Sequence, residues 1–189
     1  MRFALLSLLI IACVRTPKRA DYDAYQAVGL RPDNAAKPAP PADITNSALA
    51  LGATAPPIRS ALPEHELLVV VFYRGDWCPY CRAQLKELEA HRDDFAKRKA
   101  AVVAISVDSP ETSEHLALGE KLSFPLVSDP GHRLIEGYGV FDGETEIAWP
   151  SIFIVDRKGQ VAWRWLATDF EQRITTTEVL QMIDALPPS

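Results

Sequence analysis

Cysteine is scarce in this chain, and the scarcity limits the chemistry that the sequence can support. The 189 residues include three cysteines, at positions 13, 78 and 81. A structural zinc site needs four ligands, usually two pairs of cysteine or histidine residues. The chain has one Cys-x-x-Cys pair, and its four histidines form no His-x₃₋₅-His pair. We therefore expect no metal site, and no cofactor beyond the cysteines themselves.

An excess of positive charge is also missing. Lys and Arg number 20 against 25 Asp and Glu, so the formal net charge is −5. No basic patch carries interleaved aromatic residues, which argues against nucleic-acid binding. Long apolar runs are missing too. Residues 3–12 are mostly apolar, but a helix that spans a membrane needs about 20 such residues.

The start of the chain instead has the features of an export signal. Arg2 precedes the apolar run, and residues 9–13 read LIIAC, which is similar to the lipobox of bacterial lipoproteins. We predict a signal peptide over residues 1–12 and lipidation of Cys13; an ordinary signal peptide with an incidental cysteine is the alternative. The protein would then be lipid-anchored in a bacterial cell envelope, on the periplasmic or outer side of the membrane.

The segment that follows has the composition of a linker. Residues 13–49 are rich in Ala, Pro, Asp and Lys and contain few large aliphatic residues. Such a segment cannot bury enough surface to offset the entropy of ordering it, so we predict a flexible tether. Residues 50–189 are enough for one compact domain with a hydrophobic core.

Strand and helix patterns alternate within that domain. Apolar and β-branched runs predict buried strands, and amphipathic spacing predicts helices. A βαβ unit followed by a β-hairpin and a closing helix is typical of an α/β, thioredoxin-like fold, with a central mixed sheet flanked by helices. The predicted strands are residues 67–73, 101–107, 126–128, 152–155 and 161–166, and the main helices are residues 82–97, 111–118 and 175–186.

The Cys-x-x-Cys pair lies where the first buried strand turns into a helix. Pro79 lacks the N–H that a helix start leaves unpaired, so it suits the first turn and places Cys78 at the helix N-terminus. The helix dipole stabilises a thiolate there, so we expect a lowered pKa for Cys78. The thiolate is the form that attacks disulfides and peroxides. Half of a zinc site, or a structural disulfide with too small a loop to stabilise much, are the alternatives.

Neighbours of the two cysteines are candidate site residues. Trp77 and Tyr80 are expected to shield the pair and to offer an apolar docking surface, with plain core packing as the alternative. Arg74 or Arg82 would lower the pKa of a thiolate or bind substrate, with a solvated surface charge as the alternative.

Five segments of the chain follow one another as they do in a known family. They are Leu51-Gly52 with Ala55-Pro56, FYRGDWCPYC at 72–81, AISVDSPE at 104–111, FPLVSDPGHRLIEGYGV at 124–140 and PSIFIVDRKGQV at 150–161. In this order the chain resembles the peroxiredoxin-like branch of the thioredoxin-fold superfamily, the alkyl hydroperoxide reductase C and thiol-specific antioxidant family. The resemblance implies a thioredoxin-like fold and a thiol-dependent antioxidant oxidoreductase.

Two positions depart from the pattern of that family. Peroxiredoxins carry Thr or Ser three residues before the peroxidatic cysteine; Gly75 holds that place relative to Cys78, and Cys78 itself holds it relative to Cys81. The arginine that activates peroxide often precedes the strand that SIFIVD resembles, where this chain has Trp149 and Pro150. A proline there resembles the cis-proline of thioredoxins. We therefore predict a cis Trp149–Pro150 bond beside the dithiol; an ordinary proline at a strand start is the alternative.

These features predict an exported oxidoreductase that cycles Cys78 and Cys81 between dithiol and disulfide. Cys78 would attack a protein disulfide or a peroxide and Cys81 would resolve the product; the family's Thr-x-x-Cys pattern would instead make Cys81 the peroxidatic residue. The partners would be a thiol or disulfide protein, a peroxide, and the membrane through the N-terminal lipid. A non-catalytic thiol or copper carrier is the alternative, but Met1 and Met182 are not placed to complete a copper site.

Overall fold

The apolar runs of the sequence form the strands of the domain. A computed structural model describes residues 42–58 and 65–187. The strands are β1 (Leu67–Phe72), β2 (Ala100–Ser106), β3 (Leu126–Ser128), β4 (Phe141–Asp142), β5 (Ile147–Ala148), β6 (Ser151–Asp156) and β7 (Val161–Leu166). Five of them make one sheet in the order β3-β2-β1-β6-β7. β2 is parallel to β1 and β3, whereas β6 is antiparallel to β1 and β7, so the sheet is mixed.

Helices cover both faces of this sheet. They are α1 (Ala42–Ser47), α2 (Pro79–Ala90), α3 (Arg92–Lys97), α4 (Pro110–Glu120), α5 (Arg133–Gly137) and α6 (Thr176–Ala185). Val71 of β1 packs into one core with residues of α2 and α6, and its neighbour Phe72 packs into the other core with residues of α1 and α5. Because both faces are covered, β1 is a continuous apolar run rather than an alternating one. The predicted thioredoxin-like α/β fold is confirmed.

The described helices have a further property that bears on the membrane. None of the helices within residues 42–58 and 65–187 combines the length and the apolar character that crossing a bilayer requires.

The packed part of the chain begins earlier than the sequence predicts. Residues 42–49, which composition assigns to the tether, contain α1, and Ile44 on this helix is fully buried in the core. Arg164 of β7 donates hydrogen bonds to the carbonyl oxygens of Ala48 and Leu49. A single buried isoleucine in an Ala- and Pro-rich segment is too weak a pattern to indicate this packing. Cys13, the predicted signal peptide and the tether up to residue 41 lie outside the described residues.

Two further differences concern helix and strand boundaries. The helix predicted over residues 82–97 begins at Pro79 and is divided at His91 into α2 and α3. The β4–β5 hairpin has strands of two residues each, which are too short to produce a periodic pattern. The hairpin that the sequence predicts, between β6 and β7, is confirmed. In its turn, Asp156 Oδ1 accepts the N–H groups of Lys158 and Gln160.

The predicted cis bond before β6 is wrong. Among the described residues no peptide bond is cis, so Trp149–Pro150 is trans. Pro150 is buried, and its carbonyl oxygen accepts the Ala167 N–H at 3.0 Å. Because Ser151 pairs with Phe72, Pro150 lies at the start of β6, next to the end of β1. It therefore behaves as the alternative predicted, an ordinary proline at a strand start.

Candidate active site

The two cysteines are positioned by the junction between β1 and α2. Cys78 is the N-cap residue of α2, with extended backbone (φ −84°, ψ 112°), and Pro79 occupies the first helical turn. The Cys78 sulfur accepts a hydrogen bond from the Cys81 N–H at 3.4 Å, in the way that a Ser or Asp side chain caps a helix. Cys81 follows one turn later on the inner side of the helix. Cys78 is 1% exposed and Cys81 is 0% exposed.

Both sulfurs are free thiols, and they differ in what surrounds them. Cys81 Sγ accepts the backbone N–H of Arg74 at 3.4 Å and a guanidinium N–H from Nη2 of Arg173 at 3.0 Å. Cys78 Sγ lies farther from the same Nη2, at 3.7 Å. Each sulfur therefore accepts one backbone N–H at 3.4 Å and a hydrogen bond from Arg173 Nη2, and the guanidinium lies nearer to Cys81.

The surroundings shift the pKa values of the two thiols in opposite directions. Burial by itself raises the pKa of Cys81. The hydrogen bond from the Cys78 thiol, the charge of Arg173 and the Arg74 N–H outweigh burial and lower that pKa to about 6. The pKa of Cys78 is raised by its hydrogen bond to Cys81, by burial and by the negative charge on Cys81. The prediction of a lowered pKa for Cys78 is therefore wrong, and Cys81 is the thiol poised to ionise.

Arg173 is a site residue that sequence reasoning missed. It lies between β7 and α6. Its Nη1 donates to the carbonyl oxygens of Phe170 at 2.9 Å and Gln172 at 2.6 Å. These bonds turn the guanidinium towards the dithiol, although Arg173 is 92 residues from Cys81 in the chain. No local motif marks the position, because the contact depends on how the end of β7 returns across the start of α2.

A second arginine, Arg74, supports the site through its backbone N–H and through its side chain. The guanidinium carbon of Arg74 lies 4.7 Å from the ring centroid of Trp77 and 4.7 Å from that of Phe170. Burial lowers the pKa of Arg74, while the nearby cysteines raise it. Stacking between two aromatic rings fixes Arg74, and with it the N–H that Cys81 accepts. Trp77 is half-buried and packs against the core, so it covers this loop.

For the other predicted site residues, Arg82, Tyr80 and Pro79, the described side-chain contacts and exposures involve neither sulfur. Arg82 forms hydrogen bonds and an ion pair with Glu120 of α4, and its side chain is 48% exposed. Tyr80 is 40% exposed, one of the few large apolar side chains so exposed, and Pro79 is exposed beside it. The described contacts thus bring Trp77 and Arg74 to the dithiol loop, and Arg82 to α4.

The loop before Cys78 rests on the half-buried carboxyl group of Asp108. Asp108 Oδ2 accepts the Asp76 N–H at 3.0 Å and the Ser106 hydroxyl at 2.9 Å. Burial raises the pKa of Asp108. At Gly75 an added Cβ would lie 2.6 Å from Nε1 of Trp77, so the backbone passes too close to its neighbours for any side chain. These contacts fix the loop that carries the Arg74 N–H.

Metal binding was predicted to be absent from this site. Within the part of the chain that the structure describes, no three His, Cys, Asp or Glu side chains are placed together to hold a metal ion.

Paired thiols at the junction of a central strand and a helix, within a mixed five-stranded sheet, define a thioredoxin-like protein with a dithiol site. The AhpC/TSA family model matches residues 47–164 of the chain. The chain belongs to the AhpC/TSA family, which confirms the resemblance that the sequence motifs carry.

Curated relatives agree with this assignment. Alkyl hydroperoxide reductase E of Mycobacterium tuberculosis is 32% identical over 124 residues, which cover 59% of this chain and 81% of that protein. Peroxiredoxin-2 of Rattus norvegicus is 31% identical over 159 residues, which cover 79% of this chain and 77% of that protein.

Solved structures show the same fold at lower sequence identity. AhpC of Mycobacterium tuberculosis superimposes with a TM-score of 0.64 at 20% identity, covering 73% of this chain and 98% of that one. Peroxiredoxin Q of Xanthomonas campestris gives a TM-score of 0.57 at 24% identity, covering 65% of this chain and 80% of that one. Arg173 lies beyond residue 164, outside the part of the chain that the family model matches.

Proposed function

We propose that this protein is a thiol-dependent peroxidase in which Cys81 reduces the peroxide and Cys78 resolves the product. The observation that carries the proposal is that the Arg173 guanidinium lies nearer to Cys81 Sγ, at 3.0 Å, than to Cys78 Sγ, at 3.7 Å. The hydrogen bond from the Cys78 thiol, the charge of Arg173 and the Arg74 N–H together outweigh burial and lower the pKa of Cys81 to about 6. At neutral pH such a thiol is mostly thiolate, the form that attacks peroxides. The names of the curated relatives, an alkyl hydroperoxide reductase and a peroxiredoxin, support a peroxide substrate.

The proposed reaction has two steps. The Cys81 thiolate attacks one peroxide oxygen, the O–O bond breaks, and the alkoxide or hydroxide that leaves takes up a proton, while Cys81 becomes a sulfenic acid. The Cys78 thiol then attacks the oxidised sulfur, and a disulfide forms with release of water. Two external thiols, or one dithiol, return the disulfide to the dithiol by two successive exchanges through a mixed disulfide, and leave as a disulfide themselves.

Cys78 has two functions in this scheme. It stands three residues before Cys81, where the sequence analysis places the Thr or Ser of peroxiredoxins. Its thiol donates a hydrogen bond to Cys81, as a hydroxyl would. It also lies one helical turn away, which suits it to close the internal disulfide. The order of attack is therefore the reverse of the one inferred from the helix N-terminus.

The test is the reaction of the reduced protein with hydrogen peroxide and with an alkyl hydroperoxide in a stopped-flow instrument. Cys81→Ser is expected to abolish the reaction. Cys78→Ser keeps a hydroxyl donor, so it is expected to react once and to stop at a sulfenic acid on Cys81, detected by dimedone labelling and mass spectrometry. A sulfenic acid on Cys78 in the Cys81→Ser variant would reverse the roles.

Reduction of protein disulfides is the comparison arm of the same experiment. The predicted cis bond before Pro150, the feature in which the chain resembled thioredoxins, is absent among the described residues, so no described contact supports that activity over peroxide reduction. A faster reaction with a protein disulfide than with either peroxide would overturn the peroxidase proposal.

Tight stoichiometric copper binding in an anaerobic titration, without peroxide turnover, would favour the carrier alternative.

We also propose export and lipid anchorage through Cys13. The support is the sequence of residues 1–13 alone, a short apolar run that ends in Ile-Ala-Cys. Mass spectrometry of the N-terminal peptide from cell membranes should find an acylated Cys13 as the first residue. An unmodified Cys13 would refute the anchor.

A further inference from the structure

The segment after β2 contacts the loop before Cys78 but has no part in the reaction proposed above. It contains Asp108, which lies between β2 and α4 within the motif AISVDSPE at 104–111. β1 and β2 are parallel, with Phe72 opposite Ile105. The residues that follow the two strands therefore leave the sheet side by side, which brings Asp108 to the loop that leads to the dithiol.

The sheet holds Asp108 in place. Its backbone N–H donates to Ser106 Oγ at 3.2 Å, and its carbonyl oxygen accepts the Ser128 hydroxyl at 2.6 Å. The Ser106 hydroxyl also donates to Oδ2 of the carboxylate at 2.9 Å. Ser106 is the last residue of β2 and Ser128 the last of β3. The ends of two strands thus fix both the backbone and the carboxylate of Asp108.

The carboxylate of Asp108 contacts the loop at two successive residues. Oδ2 accepts the Asp76 N–H at 3.0 Å. Oδ1 lies against Gly75, where an added Cβ would be 3.0 Å from it. Asp108 therefore holds the loop by a hydrogen bond and limits its position by close contact.

The N–H of Arg74 lies between two fixed points of the chain. Tyr73, one residue before it, donates its N–H to β2, and Asp76, two residues after it, is bonded to Asp108. Between them the Arg74 N–H donates to Cys81 Sγ at 3.4 Å. A donor directed at a sulfur stabilises the thiolate relative to the thiol, so the position of this peptide group affects the reactive residue.

We propose that Asp108 is a positioning residue for the peroxidase reaction: its carboxylate fixes residues 74–76 so that the Arg74 N–H points at the Cys81 sulfur. In the described contacts Asp108 bonds to the loop and to Ser106 rather than to either sulfur, so it acts through Arg74. The inference rests on the proposed function, because it concerns the thiol that this function makes reactive.

Charge and positioning predict opposite effects of removing Asp108. Loss of its negative charge, by itself, favours the thiolate and lowers the pH midpoint at which Cys81 ionises. Loss of the hydrogen bond to Asp76 releases the Arg74 N–H and raises that midpoint. The other ionisable groups that face Asp108 are the Asp76 carboxylate and the Tyr73 phenol, and they are the same in each variant compared below.

The test uses Asp108→Ala and Asp108→Asn in the full-length chain, with Asp156→Ala as the matched control. Asparagine removes the charge but keeps an oxygen that can accept the Asp76 N–H. Asp156 is also a half-buried aspartate whose carboxylate accepts two hydrogen bonds, but it pairs with Leu67 at the other end of β1.

Two rates are measured across pH for each reduced variant. They are the reaction with an alkyl hydroperoxide and alkylation by iodoacetamide, which needs the thiolate but no contact with peroxide. For Asp108→Ala we expect the alkylation midpoint to rise by about 0.5–1 pH unit, less than the complete loss of a hydrogen bond to a charged group would give. Asp108→Asn and Asp156→Ala should have midpoints at or slightly below that of wild type. Once Cys81 is fully ionised, all three should react with peroxide within a few-fold of wild type.

A midpoint of Asp108→Ala at or below that of wild type would overturn the inference, because charge alone then explains the residue. A rise of the same size in Asp108→Asn or Asp156→Ala would also overturn it, as would a large loss of peroxide rate in Asp108→Ala at full ionisation. If Asp108→Ala does not fold, Ser106→Ala decides. It removes the hydroxyl that orients the carboxylate and keeps the charge, so its midpoint should rise, and an unchanged midpoint refutes the positioning.

Failure of the proposed function gives a different result. Wild-type protein that does not react with peroxide refutes the peroxidase, whereas the alkylation midpoints need no peroxide and still decide whether Asp108 positions the Arg74 N–H.

Discussion

At the scale of single residues, a local effect and a tertiary effect favour ionisation of different thiols. The local effect is the helix N-terminus, which favours ionisation of Cys78 and is worth about 0.3–1 kcal/mol. The tertiary effect is a set of donors on Cys81, and one hydrogen bond to a charged group contributes about 1.5–3 kcal/mol. The larger effect decides which thiol ionises. The helix N-terminus at Cys78 can be predicted from the sequence. The donors on Cys81 cannot, because Arg173 is distant in the chain.

The pH dependence of alkylation tests this ordering. Because the thiolate is the reactive form and the pKa of Cys81 is about 6, the alkylation rate of the reduced protein should rise through that pH and level off roughly one unit above it. An unperturbed thiol, with a pKa of about 8.5, would still be gaining rate there. Iodoacetamide labelling followed by peptide mass spectrometry assigns the reactive cysteine.

The raised pKa of Cys78 keeps that thiol protonated over the same range. Cys81→Ser should therefore lose the low-pH phase altogether, while Cys78→Ser should retain a phase with a shifted midpoint. Labelling of Cys78 with a midpoint near 6 would contradict the assignment of Cys81 as the ionised thiol.

At the scale of elements, the junction between β1 and α2 could be predicted and its tight geometry could not. The apolar run, Pro79 and the two cysteines place a helix start after a buried strand. The close approach of Gly75 to Trp77 and Asp108 arises only when β2 lies beside β1, which brings the residues after β2 under the loop. That approach determines where the Arg74 N–H points.

Substitution of Gly75 by alanine tests the approach. The added Cβ would lie 2.6 Å from Trp77 Nε1 and 3.0 Å from Asp108 Oδ1, at a φ of +154°. The loop must shift, so we expect a loss of about 1–3 kcal/mol in the free energy of unfolding, together with a slower reaction with peroxide. Urea unfolding measures the first and stopped-flow kinetics the second.

Gly119→Ala is the matched control for that variant. Gly119 lies within α4, and nothing lies within 4 Å of a Cβ added there. Alanine is favoured over glycine inside a helix by up to about 1 kcal/mol, so this variant should be as stable as wild type or more so. If the two variants behave alike, Gly75 does not carry the strain that the geometry indicates.

At the scale of the whole molecule, the sheet and most helices could be predicted and the N-terminal limit of the domain could not. Buried strands carry apolar runs that are visible without any partner, as at β1 and β6. α1 carries one fully buried large side chain, Ile44, in a segment whose composition is that of a linker. Its place in the core depends on contacts with Tyr138 and Arg164, far along the chain.

The position of Ile44 leads to a test of where the domain begins. If α1 belongs to the cooperative unit, Ile44→Ala in the full-length chain leaves a cavity in the core and lowers the free energy of unfolding by about 2–5 kcal/mol. The exposed neighbour Thr45 lies on the same short helix, so Thr45→Ala should change stability by less than about 0.5 kcal/mol. Urea titration of both variants gives the comparison. Equal stability of Ile44→Ala and wild type would return residues 42–49 to the tether, because a side chain that packs in the core cannot be truncated without cost.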